Sequence, residues 1–187
     1  MTKTSVVAEA RPLTFPEEGI QYDGLLFRLP RLEDVATVAP AFQDESVGGA
    51  ANMPRFTAKE LRVQVRQFSK ILDEGVMIPL LVVSDGEIQG GGTLHHFDWE
   101  HGQVEIGYWL FAHARGRGTA TKAARFLAEY GFSLGLQRVE ARVFAGNSAS
   151  ERVLERAGFS REGVIRSMPV RAGGRADQTL FSLLPGE

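Results

Sequence analysis

Cysteine is absent from the 187-residue sequence, and long apolar runs are missing as well. Without cysteine the chain can form no disulfide bond, thiolate zinc site or cysteine nucleophile, which fits a reducing compartment. No apolar stretch approaches the roughly 20 residues that a membrane-spanning helix needs. The first residues also lack the long apolar core of a signal peptide. We therefore expect a cytoplasmic protein that does not enter a membrane.

An excess of charge of one sign is lacking too. The formal net charge is −2 at pH 7, so nothing in the overall charge attracts nucleic acid or an anionic membrane, and neither partner is expected. With 43% hydrophobic and 24% charged residues, the composition is that of a globular protein. We expect a flexible N-terminal arm over residues 1–22 and a single domain over 23–187. A homodimer is compatible with the sequence.

Hydrophobic patterning alternates between the strand and the helix period along the chain. The predicted strands cover 23–30, 76–84, 87–97, 103–111, 137–145, 161–170 and 175–184, and the predicted helices cover 31–42, 57–75, about 117–134 and 147–159. Asp85-Gly86 predicts a hairpin turn, and Gly158 a helix C-cap. The fold class is therefore α/β, with a mixed, mostly antiparallel twisted sheet of six or seven strands flanked by about four helices.

A glycine- and arginine-rich turn stands between one strand and the following helix, at residues 115–118. The first N–H groups of a helix lack internal partners and carry the positive end of its dipole, so a phosphate binds well there. We predict that residues 115–120 wrap a phosphate or pyrophosphate; an ordinary loop with solvated arginines is the alternative. The P-loop pattern is absent, and Thr121 replaces the third glycine of a dinucleotide fingerprint.

Three short blocks follow one another within residues 104–166: E-I-G-Y-W-L, R-G-x-G and N-x-x-S-x-R-V-L-E-x-x-G-F. The second block belongs to the pattern R-x-x-G-x-A, formed by Arg115, Gly118 and Ala120. This pattern resembles the acetyl-coenzyme A signature of the GNAT N-acetyltransferases, and the three blocks together are similar to the RimJ/RimL-type branch. The resemblance implies a GNAT fold that transfers an acetyl group from acetyl-CoA to a primary amine of a protein N-terminus or a small molecule. A non-catalytic acyl-CoA-binding module, acting as sensor or scaffold, is the alternative, because Leu154 stands where some members carry a tyrosine as general acid.

The resemblance also implies which residues hold the cofactor. In the family, the strand matching 107–111 splays from the strand matching 138–144 and exposes backbone groups to pantetheine and thioester. Asn147 matches a residue that bonds the pantetheine, and Ser150 one that can protonate the leaving thiolate. Both also suit a helix N-terminus, where Ser148 and Glu151 can supply the cap. The expected cofactor-binding residues are Trp109, Leu110, Phe111, Arg115, Gly116, Arg117, Gly118, Thr119, Ala120, Asn147 and Ser150.

The expected catalytic residues are Ser150 and Glu105. Strand alternation places Glu105, Gly107 and Trp109 on one face, and Glu105 is the predicted general base, acting directly or through water. A solvated or salt-bridged strand carboxylate is the alternative. His95 and His96 end the preceding strand, where alternation directs only one of them to a cleft. The four histidines lack the spacing of a metal motif, so no metal is expected.

The amine acceptor is the least specified part of the prediction. In the resembling family, a loop at 43–56 and a helix at 57–74 build the acceptor wall. Four arginines also lie within residues 160–176: Arg161, Arg166, Arg171 and Arg175. They either recognise an acidic acceptor or belong to a solvated hairpin.

Overall fold

Eight strands form one mixed sheet in a computed structural model of the chain, which describes residues 11–49 and 52–187. The strands are β1 (Ile20–Tyr22), β2 (Leu25–Arg28), β3 (Met77–Ser84), β4 (Glu87–Asp98), β5 (Gln103–Leu110), β6 (Arg138–Phe144), β7 (Ser160–Pro169) and β8 (Arg175–Leu183). Their order in the sheet is β1-β2-β3-β4-β5-β6-β8-β7. Among the described strands, β5 and β6 pair in parallel, and the other neighbouring pairs are antiparallel.

Helices cover both faces of the sheet. They are α1 (Val35–Gln43), α2 (Ala58–Arg66), α3 (Phe68–Asp73), α4 (Thr119–Ser133) and α5 (Ser148–Ala157). Alternate residues of β3 divide between two hydrophobic clusters: Leu80 and Val82 belong to the one under α4 and α5, and Leu81 and Val83 to the one under α1 and α2. The sheet therefore has an α4/α5 face and an α1/α2 face. None of the described helices is both long and apolar enough to span a membrane.

Local sequence signals account for several boundaries. Asp85 and Gly86 both have positive φ, of 51° and 78°, as the predicted two-residue hairpin requires. Gly158 ends α5 in the left-handed conformation with φ 100°. Thr57 accepts a hydrogen bond from the backbone N–H of Glu60, whose side chain bonds back to Thr57, so the predicted capping box is confirmed.

Three predictions about the fold need correction. The sheet has eight strands rather than six or seven, and the single helix predicted over 57–75 is divided at Gln67 into α2 and α3. The arm expected over 1–22 is wrong for its second half, because Leu13 and Phe15 are buried in the core and β1 pairs with β2. Residues 1–10 of that arm lie outside the described residues.

A buried ion pair fastens β2 to the start of α1. Both guanidinium NH groups of Arg28 donate to the Asp34 carboxylate at 2.7 Å, and the two side chains are 11% and 7% exposed. Burial alone would raise the pKa of Asp34, but the hydrogen bonds from Arg28 and from the Arg31 backbone N–H outweigh it and hold that pKa below the usual value. The ion pair thereby fixes the position of the α1/α2 face.

Asp34→Asn is expected to lower the free energy of unfolding by about 3 kcal/mol at pH 7, because it leaves Arg28 buried without its counter-charge. Glu33→Gln, which removes an exposed partner of Arg31, should cost less than about 1 kcal/mol. The folded-state pKa of Asp34 is depressed. The contribution of its carboxylate to folding stability is therefore present above the unfolded-state pKa, and it is lost as pH falls through the folded-state pKa. In urea titrations, the difference in free energy of unfolding between the wild type and Asp34→Asn should therefore narrow as pH falls below the ordinary Asp pKa of 3.8. Equal losses for both variants at pH 7 would contradict this account.

Candidate active site

The parallel strands β5 and β6 diverge in the middle of the sheet. They pair from Gln103 with Arg138 to Ile106 with Ala141, and past that point each continues, to Leu110 and Phe144, without a partner in the other. The gap opens a cleft of about 520 Å³, called the cleft below. Because the sheet itself is interrupted, side chains from both of its faces line the cleft. The splay implied by the family resemblance is therefore present in the structure.

The N-terminus of α4 forms one end of the cleft. Gly116 and Gly118 line it and adopt positive φ, of 75° and 81°, which a glycine reaches without strain. Gly118 is the N-cap of α4, and no side chain of a described residue caps this helix. A Cβ placed on either glycine would meet no atom within 4 Å. The turn thus offers uncapped N–H groups, the positive end of a helix dipole and open space, a combination that fits a phosphate.

The predicted cofactor residues are not all placed alike around this turn. The cleft is lined by Trp109, Leu110, Arg115, Gly116, Gly118, Thr119, Ala120, Asn147 and Ser150. The Arg115 guanidinium turns back to donate to the carbonyl groups of Ser46 at 2.9 Å and Leu110 at 3.3 Å, so this side chain braces the loop.

Two of the predicted cofactor residues lie elsewhere. Arg117 lines a separate polar cavity together with His113. Phe111 already uses both backbone groups, since its N–H donates to the Gln89 carbonyl and its carbonyl accepts from the Ala114 N–H, each at 3.0 Å. We therefore leave Phe111 and Arg117 out of the proposed site.

The N-terminus of α5 supplies a second set of polar groups. Asn147 Oδ1 accepts a hydrogen bond from the Ser150 N–H at 3.2 Å and caps the helix. The cap expected from Ser148 and Glu151 is wrong, because the Glu151 carboxylate instead accepts from the Thr179 hydroxyl at 2.8 Å. The amide nitrogen of Asn147 makes no hydrogen bond to another described residue.

A pair of hydroxyl groups faces the cleft from the α4/α5 side. The Tyr108 hydroxyl lies 2.8 Å from Ser150 Oγ and 3.2 Å from the Ser150 carbonyl oxygen. Burial raises the pKa of Tyr108 to about 12, although the hydrogen bond with Ser150 lowers it in part. The phenol therefore keeps its proton throughout the neutral range and can donate a hydrogen bond to Ser150.

Glu105 lies on the other side of the cleft, on the α1/α2 face. Its Oε2 is 3.2 Å from an Arg142 guanidinium nitrogen and 3.1 Å from His96 Nδ1. The side chain is 14% exposed, whereas His96 is 75% exposed. The carboxylate thus forms a salt bridge and also borders the cleft, and its role as general base stays a prediction.

Both neighbouring histidines border the cleft, although alternation allowed only one. The register of β4 against β5 shifts between His95 and Asp98, and His96 has a φ of 53°, so a bulge breaks the alternation. Burial lowers the pKa of His95 to about 4, and the nearby Glu105 only partly opposes this. His95 is therefore neutral at pH 7.

The two histidines and Glu105 form the one group among the described residues whose ligand atoms could surround a metal ion, lying within 4.8 Å of one another. An Arg142 guanidinium nitrogen lies 3.2 Å from Glu105 Oε2, and its positive charge opposes the binding of a cation there. The expected absence of a metal stays a prediction.

Described residues of the loop between α1 and α2 border the cleft from the α1/α2 face. Ser46, Val47 and Asn52 line it, as the family resemblance implied for this segment. Asn52 Oδ1 accepts a hydrogen bond from the backbone N–H of Arg171 at 2.9 Å, which joins the loop to the β7–β8 turn. Residues 50 and 51, within the loop expected at 43–56, lie outside the described residues.

A family model described as an acetyltransferase (GNAT) domain matches residues 24–160 of the chain. The chain belongs to the GNAT acetyltransferase family. The N-acetyltransferase p20 of Bacillus licheniformis, which is uncharacterized, is 31% identical over 174 residues that cover 91% of this chain and 98% of p20. The GNAT assignment made from three sequence blocks is therefore confirmed, and with it the prediction of an enzyme.

Solved structures agree with the fold. The microcin C7 self-immunity acetyltransferase MccE, in complex with acetyl-CoA and AMP, is similar with a TM-score of 0.79 and 22% identity, covering 91% of this chain and 98% of MccE. Mycobacterium smegmatis RimJ, in complex with CoA-disulfide, is similar with a TM-score of 0.76 and 24% identity, covering 90% and 84%. The GNAT fold is thus confirmed, and acetyl-CoA is the acetyl donor that this family uses.

Sequence reasoning missed Tyr108 as a residue of this GNAT site. Alternation placed Tyr108 with Val104 and Ile106, and these two valine and isoleucine side chains are indeed buried in the core. The sequence does contain a signal for this role. Tyr108 follows Val104 and Ile106 on the same face of β5, and a tyrosine hydroxyl on a buried face needs a hydrogen-bond partner. The splay of β5 from β6 supplies that partner in Ser150.

Proposed function

We propose that the chain transfers the acetyl group of acetyl-CoA to a primary amine, of a protein N-terminus or a small molecule, within the cleft. The observation that carries this proposal is the divergence of β5 and β6 after Ile106, with an uncapped helix N-terminus at one end and the Tyr108–Ser150 pair beside it. The cleft thereby offers a helix N-terminus that can bind phosphates, two hydroxyl groups that can contact a sulfur, and a carboxylate that can contact an amine. These three features lie in the order in which an acyl-CoA thioester and an amine would need them.

The phosphate end of the donor fits the turn at 115–120. Several backbone N–H groups there have no capping side chain among the described residues, and the open volume beside Gly116 and Gly118 lets a ligand approach the backbone closely. Asn147 has an amide nitrogen at the start of α5 that can donate to the pantetheine. Residues 107–110 pair with β4 but have no partner in β6, so backbone groups on that side face the gap, and an N–H among them can stabilise negative charge that develops on the carbonyl oxygen during transfer.

Ser150 and Tyr108 act on the leaving sulfur. When Tyr108 donates to Ser150 Oγ, the proton of the serine hydroxyl is left to point into the cleft. An alcohol, or a phenol with a pKa of about 12, is a weaker acid than a thiol, whose pKa is about 8.5. The two hydroxyls therefore stabilise the thiolate by hydrogen bonding rather than by giving up a proton outright. This role replaces the protonation implied for Ser150 by the family resemblance.

Glu105 removes a proton from the acceptor amine. An α-amino group with a pKa near 8 is only about one-tenth neutral at pH 7, and the protonated form cannot attack. We assign Glu105 to accept the proton through an intervening water and to pass it to His96, which is 3.1 Å away and exposed to solvent. Arg142 holds the carboxylate in place from the other side.

The proposed function is tested by release of the CoA thiol from acetyl-CoA in the presence of a panel of amines and peptides. The expected result is thiol release that depends on the amine, with the acetylated amine identified by its mass. Binding of acetyl-CoA with no amine-dependent release across the panel would favour a sensor or scaffold and overturn the proposal.

Ser150→Ala and Tyr108→Phe are each expected to lower kcat about tenfold, because the thiolate loses a hydrogen bond that matters chiefly in the transition state. Acetyl-CoA affinity should stay within about twofold in calorimetry. The double variant should lose little more than the worse single variant, since the two hydroxyls act as one unit.

Tyr130→Phe is the matched control, because it removes a tyrosine hydroxyl that bonds the Thr14 carbonyl outside the cleft. It should leave kcat unchanged. Strictly multiplicative losses for Ser150→Ala and Tyr108→Phe, or losses of affinity and thermal stability in place of kcat, would contradict the assignment.

A further inference from the structure

The acceptor side of the cleft carries more polar groups than proton transfer requires. On β6, Ala141 and Val143 are buried under α4 and α5, so Arg142 between them points to the α1/α2 face. Gln178 of β8 pairs with Phe144 and also borders the cleft. Arg171, in the turn between β7 and β8, completes this side.

Gln178 is a buried polar residue whose partner is unaccounted for. It is 8% exposed, and its carboxamide makes no hydrogen bond to a described residue. Among the described residues, every fully buried side-chain nitrogen or oxygen has a hydrogen-bond partner. Because the Gln178 carboxamide has no such partner, its polar atoms are not fully buried, and they reach the open space of the cleft. A largely buried carboxamide without a protein partner costs free energy of folding unless a ligand or a water molecule forms hydrogen bonds with it.

Arg171 brings an unbalanced positive charge to the same side. Its backbone N–H is held by Asn52, which fixes the turn, while its guanidinium makes no ion pair with a described residue. Arg142, in contrast, is balanced by Glu105 at 3.2 Å and Glu140 at 3.6 Å. His95 adds no charge, because burial keeps it neutral. An anion is therefore the complementary ligand for Arg171.

We infer that the acceptor amine carries a carboxylate, which Arg171 and Gln178 bind while the amine faces Glu105. Gln178 pairs with Phe144, two residues beyond Arg142, which places it about 7 Å further along the strands. Glu105, Arg171 and Gln178 border the same cleft, so the carboxylate belongs to the side chain of an amino acid, or to the first residues of a peptide, whose α-amine is acetylated. The inference rests on the proposed acetyl transfer and specifies its acceptor.

The test compares kcat/KM for two matched pairs of amines at saturating acetyl-CoA. The α-amides of glutamate and glutamine differ only in a side-chain carboxylate against a carboxamide, as do the peptide amides Ala-Asp-Ala and Ala-Asn-Ala. The acidic member of at least one pair should react about tenfold faster, because a charge-assisted contact to Arg171 is lost in the other member. The preference should shrink as salt rises from about 0.05 to about 0.5 M. A preference in the first pair identifies a small-molecule acceptor, and one in the second a peptide N-terminus.

Arg171→Gln should remove the preference by slowing the acidic member of each pair. Arg166→Gln, at an exposed arginine of β7 outside the cleft, is the matched control and should keep the preference. Equal reaction of both members of both pairs, within about twofold, overturns the inference and leaves the acetyl transfer standing. Absence of transfer to every amine overturns the proposed function and the inference with it.

Discussion

Gly118→Val is expected to weaken acetyl-CoA binding about a hundredfold or more. In the structure a Cβ at this position meets no atom within 4 Å, so the substitution fills only the space that a phosphate would occupy. The loss follows from the charge-assisted hydrogen bonds that backbone N–H groups at a helix N-terminus can make with a phosphate, each worth about 1.5–3 kcal/mol. Calorimetry with acetyl-CoA measures it directly.

Gly135→Val provides the control for this experiment at the other end of the same helix. Gly135 also has a positive φ, of 90°, and a Cβ there also meets nothing within 4 Å. Both substitutions therefore carry a similar backbone strain of about 1–2 kcal/mol and should lower the thermal midpoint alike. Unchanged acetyl-CoA affinity in Gly118→Val, with a normal circular dichroism spectrum, would contradict the assignment of the phosphate site. Equal losses of affinity in Gly118→Val and Gly135→Val would contradict it as well.

Glu105→Gln is expected to lower kcat at pH 7 by about 10²-fold or more, the lower end of the usual contribution of a general base. The substitution keeps the shape of the side chain but removes its capacity to accept a proton. As pH rises, the acceptor amine loses its proton without help, so the deficit should narrow. A pH profile of kcat between neutral and alkaline pH therefore separates a base from a group that only positions the amine.

The control for Glu105 is Glu140→Gln, which also removes a carboxylate partner of Arg142 but lies outside the cleft. It should leave kcat nearly unchanged at every pH. A deficit in Glu105→Gln that stays constant with pH would assign Glu105 to positioning. An equal deficit in Glu140→Gln would assign the effect to the release of Arg142.

Much of the fold was predictable because its signals are local. The Asp85-Gly86 hairpin, the Thr57 capping box and the Gly158 cap each depend on two or three neighbouring residues. β1 was missed because three residues are too few to show a period, and because its pairing with β2 and the burial of Leu13 depend on the rest of the chain. The Arg28–Asp34 pair was missed for a similar reason, since no local pattern distinguishes it from the exposed charges around it.

The candidate site was predictable on its phosphate side and less so on its acceptor side. The glycines and the helix start at 116–119 are contiguous in the sequence, so their chemistry could be argued directly. Alternation failed at His96, where a bulge in β4 turns a second histidine toward the cleft. Alternation placed Tyr108 on the correct face but gave no sign that this residue borders the cleft, because the alternation rule assumes an intact sheet, and the splay of β5 from β6 opens a cleft to both faces. Arg171 and Gln178 reach the cleft only through the packing of β8 against β6.

A crystal structure of the chain with CoA and an acetylated amine product tests the central claim most directly. The account predicts a pyrophosphate on the N–H groups at the start of α4 and a CoA chain lying between β5 and β6. The sulfur should then lie within about 4 Å of Ser150 Oγ, the limit for a hydrogen bond to sulfur, and the product amide on the side of Glu105. CoA bound outside the gap between β5 and β6, or with its sulfur directed away from the Tyr108–Ser150 pair, would contradict it.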